Sequence, residues 1–202
     1  MMDLHLEALY PGPFDCKEIL RYAMMPASQT PPETLPLEEC LAMVGSGFAC
    51  HAVWRVFPVR REEDALDLTF TRVASVSLRR WMEGSESAAL FAVTAGVEME
   101  RLILRAKAVS PLHGLLMHAI GAERVEAACD ELCYRIAARM PEYDLCPRFS
   151  PGYGDLPLAI QQEIFRALDC QRLLGLTLTR EMLMQPGKSV TGIIGLRRRE
   201  KP

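Results

Sequence analysis

The chain has 202 residues, half of them hydrophobic, with 23 basic and 26 acidic side chains and a net charge of −3. That length suits one sizeable domain or two small lobes, burying roughly 70% of the unfolded surface. The even charge balance argues against a nucleic-acid binder, and the sequence has neither an apolar run of the ~20 residues a membrane helix needs nor the basic-then-apolar start of a secretory leader.

Asp15 to Met25 reads as a short helix, with Asp15 as N-cap and Ile19, Leu20, Ala23 and Met24 as its apolar stripe. Four prolines in PASQTPPETLP stop that helix, and helix resumes from Leu37 to Ala49. Residues 1–50 are thus expected to form an N-terminal helical segment with a Pro-rich linker, ahead of an α+β core over 51–202. Ala52 to Val59 is β-branched and aromatic and reads as a strand, with Leu66 to Phe70 as its hairpin partner across RREED. A short helix follows near Val76 to Met82. Ala88 to Thr94 is a continuous apolar run, as in a strand covered on both faces. Helices are expected over Val97 to Lys107 and from Pro111 to Met140. After a Pro- and Gly-rich loop, Leu145 to Asp155, come a helix from Leu158 to Leu173 and two strands, Leu174 to Thr179 and Ser189 to Leu196. Strands and helices do not alternate strictly, so the fold class is α+β. The strands Val53 to Val59, Leu90 to Thr94, Leu174 to Leu178 and Val190 to Leu196 should join one mainly antiparallel, twisted sheet with helices packed around it. Arg197-Arg198-Arg199 with Lys201 reads as a solvated tail.

The seven cysteines are scattered and form no CxxC pair, so they read as reduced small hydrophobes in a reducing, cytoplasmic setting. Histidines 5, 51, 113 and 118 show no metal-ligand spacing. The segment with most chemistry is Arg148-Phe149-Ser150-Pro151-Gly152-Tyr153-Gly154-Asp155. Its proline and glycines make a tight turn whose backbone a ligand can approach. Arg148 offers a planar fork suited to a carboxylate, and Tyr153 an aromatic face and a hydroxyl. These residues can hold an amino-acid-like ligand with a flat base; they also suit an ordinary surface loop whose arginine pairs with a nearby acid.

This loop, the helix after it and the closing strands resemble the activation domain of cobalamin-dependent methionine synthase, here in a short, stand-alone form. That family carries Arg-x-x-x-Gly-Tyr, matched by Arg148, Gly152 and Tyr153, then a Leu-Thr-(acid) stretch, matched from Leu178-Thr179 to Glu181. A Pro-x-x-Ser-Val-Ser-Gly segment follows, present as Pro186 to Gly192 with Thr191 at the second serine. The resemblance covers about Leu145 to Gly195 and extends more weakly over Ser87 to Arg139. It implies that S-adenosylmethionine is the ligand, with Arg148 on the methionyl carboxylate, backbone contacts from Ser150 and Gly152, and Tyr153 lining the site. Glu126, on the preceding helix, matches a family glutamate. The cobalamin would be carried by a partner, a methionine synthase subunit or another corrinoid protein, with a flavodoxin-like protein as electron donor. By the same resemblance no side chain need act as nucleophile, because the cobalt would attack the methyl group. The family's N-terminal aspartate and C-terminal tyrosine find no counterpart here. Two alternatives are a corrinoid-protein docking or chaperone module without the ligand, and an S-adenosylmethionine sensor without the corrinoid partner.

Overall fold

The computed structural model describes residues 3–25 and 35–199. The Pro-rich linker expected from residue 26 falls mostly on 26–34, outside the described residues, as does Lys201. In chain order the elements begin with β1 (His5–Leu9), α1 (Cys16–Tyr22), α2 (Leu37–Val44) and β2 (Cys50–Pro58). Next come β3 (Arg60–Arg61), β4 (Leu66–Asp67), β5 (Arg72–Val73), α3 (Val76–Trp81), β6 (Ser87–Thr94), α4 (Gly96–Val109), α5 (Pro111–Arg139) and β7 (Tyr143–Leu145). A 3₁₀ turn at Leu158–Ile160 leads into α6 (Gln161–Leu168), α7 (Cys170–Leu174), β8 (Thr177–Leu178), β9 (Met184–Gln185) and β10 (Ser189–Arg198).

Among the described residues the main sheet has the order β1-β2-β6-β10-β7, with every neighbouring pair antiparallel. The alternation of side chains along a strand divides the core in two. Ala89, Phe91 and Val93 of β6 join Trp54, Ile194 and Leu196 beneath α4 and α5, whereas Ala88, Leu90 and Ala92 join Val53, Phe57 and Ile193 on the opposite face, packed against α3, α6 and α7. A strand buried on both faces has no room for polar residues, which is why β6 is an unbroken apolar run.

Three expectations need correction. Leu174 to Leu178 does not enter the main sheet: α7 runs through Leu174, and Thr177–Leu178 pairs only with Met184–Gln185 in a small hairpin. Leu66–Asp67 is not the partner of the long strand; it pairs with Arg60–Arg61 and Arg72–Val73, while β2 lies between β1 and β6. The helix expected from Leu158 to Leu173 breaks at Asp169, which adopts a left-handed φ of 51° that a short acidic side chain tolerates. β1, inside the segment read as helical, was not anticipated. Its inward position 7 is a glutamate, which breaks the apolar alternation of a half-buried strand. Glu7 accepts the indole N–H of Trp54 at 2.7 Å and pairs with Arg135 and Arg139 of α5. Burial pushes its carboxyl pKa up, but these donors outweigh it and hold the carboxyl below its ordinary range.

No helix among the described residues is long and apolar enough to cross a membrane. All seven cysteines are free thiols, six buried or half-buried; Cys16 is exposed and does not pack as a hydrophobe.

Candidate functional site

Edge pairing along β10 builds the site. Leu145 of β7 stands opposite Leu196, and Phe149 forms an isolated bridge to Ile193. Three residues of the edge, Cys146, Pro147 and Arg148, therefore face only two of β10, Ile194 and Gly195. This is a β-bulge, a device that bends an edge and re-aims a side chain. Phe149 then locks the chain back onto β10, exchanging hydrogen bonds with Ile193 at 2.9 and 2.8 Å. Gly192 makes room for this approach. A Cβ there would stand 2.7 Å from the Phe91 ring and 3.4 Å from the Phe149 carbonyl oxygen, which is a physical reason for the glycine of the Ser-Val-Thr-Gly segment.

Released by the bulge, Arg148 reaches α5. One terminal nitrogen donates to Asp130 at 2.7 Å and the other to Glu126 at 3.1 Å. Burial disfavours its charge, but its neighbours, Cys129 and Asp130 foremost, then Cys133 and Glu126, outweigh this and hold its pKa above the ordinary value. Beneath it lie Cys129 and Cys133, whose thiols burial pushes up and Arg148 pulls down; the net direction is up, so both stay neutral. Tyr22, on α1, has its phenol raised by burial and by Glu126, so the N-terminal helix reaches the edge of the site.

A groove of about 830 Å³ runs along this edge, within the range of small-molecule sites. Its lining includes Glu126, Arg148, Ser150 and Tyr153, and, from elements that sequence reasoning did not connect with it, Arg80, Trp81 and Arg197. The Trp81 indole donates to the Pro147 carbonyl at 2.7 Å, and the Trp81, Phe149 and Tyr153 rings follow one another at 5.5 and 6.4 Å. The groove thus offers an aromatic wall beside a cation flanked by two acids.

Of the expected site residues, Gly152 does not line the groove. With φ at +89° its N–H donates to the Leu156 carbonyl, so it shapes the turn. Gly154 lines the groove instead, with φ at +55°, and a Cβ there would lie 2.4 Å from Ser77 Oγ. Arg197 and Arg198 are solvent-exposed, as expected, but they form the end of β10 and not a tail. Asp130 was missed, and the signal that could have found it is its spacing from Glu126, one helical turn on the same face.

Asp155 ties the loop to α3. Its carboxylate accepts from Ser75 Oγ at 2.6 Å, from the Val76 N–H at 2.7 Å and from the Ser77 N–H at 3.0 Å. The Ser75 hydroxyl and these two amides hold its pKa far below the usual carboxylate range. For a depressed acid the stabilisation is complete above the unfolded pKa, about 3.9, and is lost as pH falls from there toward the folded value. Asp155→Asn should therefore remove a contribution that is constant between pH 5 and 8. The difference in urea midpoint from wild type should stay flat over that window and shrink only below about pH 4; a difference that varies between pH 5 and 8 would contradict the assignment.

Residues 81–200 match the family model described as "Vitamin B12 dependent methionine synthase, activation domain". No curated protein sequence matches the chain. Among solved structures, that of the MetH reactivation domain bound to AdoHcy aligns with a TM-score of 0.72 at 18% identity, covering 100% of this chain and 80% of that one, a likeness of fold.

Proposed function

From a chain that belongs to the family of vitamin B12-dependent methionine synthase activation domains, we propose binding of S-adenosylmethionine in the groove along β10, in support of the reductive methylation of a partner's cobalamin. The observation that carries this reading is the half-buried Arg148, set by the bulge between Glu126 and Asp130 and beside an aromatic wall. The arginine fork suits the methionyl carboxylate, Glu126 suits the cationic end of the head group, and Trp81 and Tyr153 suit the adenine. Ser150 lies on the groove wall and can supply the backbone contact expected of it. Gly152 would act by setting the turn.

The corrinoid, on a separate cobalamin-binding protein, supplies the nucleophilic cobalt once a separate donor, such as a flavodoxin-like protein, has reduced it. This chain's residues hold the sulfonium methyl in one orientation and shield it from water. The reading treats residues 1–50 as part of the same unit, supported by the pairing of β1 with β2 and by the reach of α1 toward Glu126.

Calorimetric titration of the full chain with S-adenosylmethionine tests the proposal. Saturable binding at one site per chain is expected. Absence of binding at millimolar ligand, with cobalamin-loaded partner present or not, would favour a corrinoid-protein docking module instead. Binding without any methyl transfer to a reduced corrinoid protein would favour a sensor.

A further inference from the structure

We infer that Asp130, beside the groove at the outer end of the Arg148 guanidinium, is a specificity-determining residue: with Glu126 it provides two negative charges that favour a ligand with two cationic centres, the sulfonium and ammonium of S-adenosylmethionine, over the neutral thioether S-adenosylhomocysteine. The inference rests on the reading of the groove as an S-adenosylmethionine site. Glu126 and Asp130 stand one turn apart on α5, and their carboxylates sit 3.1 and 2.7 Å from the two ends of one guanidinium. One cation cannot neutralise two anions, so the Glu126–Arg148–Asp130 cluster by itself carries one uncompensated negative charge; Glu126 and Arg148 line the groove, and Asp130 is held at the other end of the guanidinium, outside that lining. Cys129 and Cys133 beneath add none, since burial keeps them as thiols.

The ligand's head group has the opposite inventory: one carboxylate against an ammonium and a sulfonium. When its carboxylate takes up Arg148, at least one of the two acids gives up its bond and can turn to the ligand's cations. The two acids then face two positive charges. Loss of the methyl group removes the sulfonium charge and leaves one acid unmatched. Arg80 and Arg197 also line the groove, from α3 and the far end of β10; their charges oppose the sulfonium, but they are the same in every Asp130 variant and cancel when variants are compared.

The Asp130 side chain is 66% exposed, so solvent screens its field. Unit charges about 6 Å apart at an effective dielectric of about 40–80 give a preference of roughly threefold to tenfold. Wild type, Asp130→Asn and Asp130→Glu should be titrated in parallel with S-adenosylmethionine, S-adenosylhomocysteine and sinefungin, which bears an ammonium in place of the sulfonium. Asp130→Asn is expected to lower the preference for the two cationic ligands by threefold to tenfold while changing S-adenosylhomocysteine affinity little; Asp130→Glu should retain it. The charge change Glu163→Gln, on α6, should leave the ratio untouched. If Asp130→Asn weakens all three ligands equally, or leaves the ratio at its wild-type value, the inference is overturned while the groove assignment stands. If wild type binds none of the three, the groove assignment itself fails and the inference with it.

Discussion

Arg148→Ala abolishes measurable S-adenosylmethionine binding and leaves the protein folded: this is the expected result with the largest effect on function. The arginine is the only cation in contact with Glu126 and Asp130 among the described residues, so its removal acts twice. The ligand carboxylate loses a charge-assisted partner, and the two acids lose the charge that separates them. Truncating one side of such a pair typically costs about 2–5 kcal/mol, or roughly thirtyfold to several-thousandfold in affinity. Arg148→Lys should fall between, because a point charge cannot reproduce a planar fork that spans two acids. Arg198→Ala is the control: it lies beside groove-lining Arg197 on β10 but does not itself line the groove. Calorimetry gives the affinities and circular dichroism the state of folding. Equal binding by wild type and Arg148→Ala would show that the ligand sits elsewhere, whatever its affinity.

The largest effect on stability is expected two residues before Glu126. Glu123 and Arg124, both on α5, are only 5% and 3% exposed and form a two-pronged ion pair. Arg124 also donates to the Gly12 carbonyl at 2.8 Å and more weakly to those of Pro11 and Pro13, and its guanidinium lies 4.2 Å over the Phe14 ring. Glu123 accepts the N–H of Asp15, the residue that caps α1. The pair therefore fastens the segment between β1 and α1 to the long helix. Arg124→Met keeps much of the volume but leaves Glu123 buried without its cation, at a cost of about 3–5 kcal/mol. That is a large share of the 5–15 kcal/mol typical of a domain. Adding Glu123→Leu should recover much of the loss, since removing both charges also removes their desolvation. Urea unfolding of the three variants checks this. A single variant within 1 kcal/mol of wild type, or a double variant no better than the single, would contradict it.

The strands at the heart of the sheet and the long helix were legible in the residues. Val53 to Phe57 and Ala88 to Thr94 carry β-branched, aromatic or unbroken apolar runs, and Pro111 opens α5 as the proline at a helix start should. The Arg-x-x-x-Gly-Tyr loop also stood out locally, because Gly and Pro shape a backbone wherever they occur. Four features depended on packing. β1 looked polar because its buried glutamate is satisfied by Trp54, Arg135 and Arg139, partners 47 to 132 residues away. Thr177–Leu178 looked like a sheet strand, yet α7 takes up the residues before it and it pairs only with Met184–Gln185. Asp130 shares a helix face with Glu126 in the sequence, but that spacing alone also fits two acids on a solvated face; the bulge at Pro147 and Arg148 is what aims a guanidinium at both. Trp81 and Arg197 meet in the groove from α3, tied to the loop through Asp155, and from the end of β10, paired there with β7, so neither is near the loop in sequence. Local composition settles helix or strand where a segment is long and strongly patterned, as in β6 and α5, and not in short segments such as β1, whose pairing comes from elsewhere in the chain. Which acids face which arginine is a matter of register across the sheet edge, where one extra residue decides the aim of a side chain.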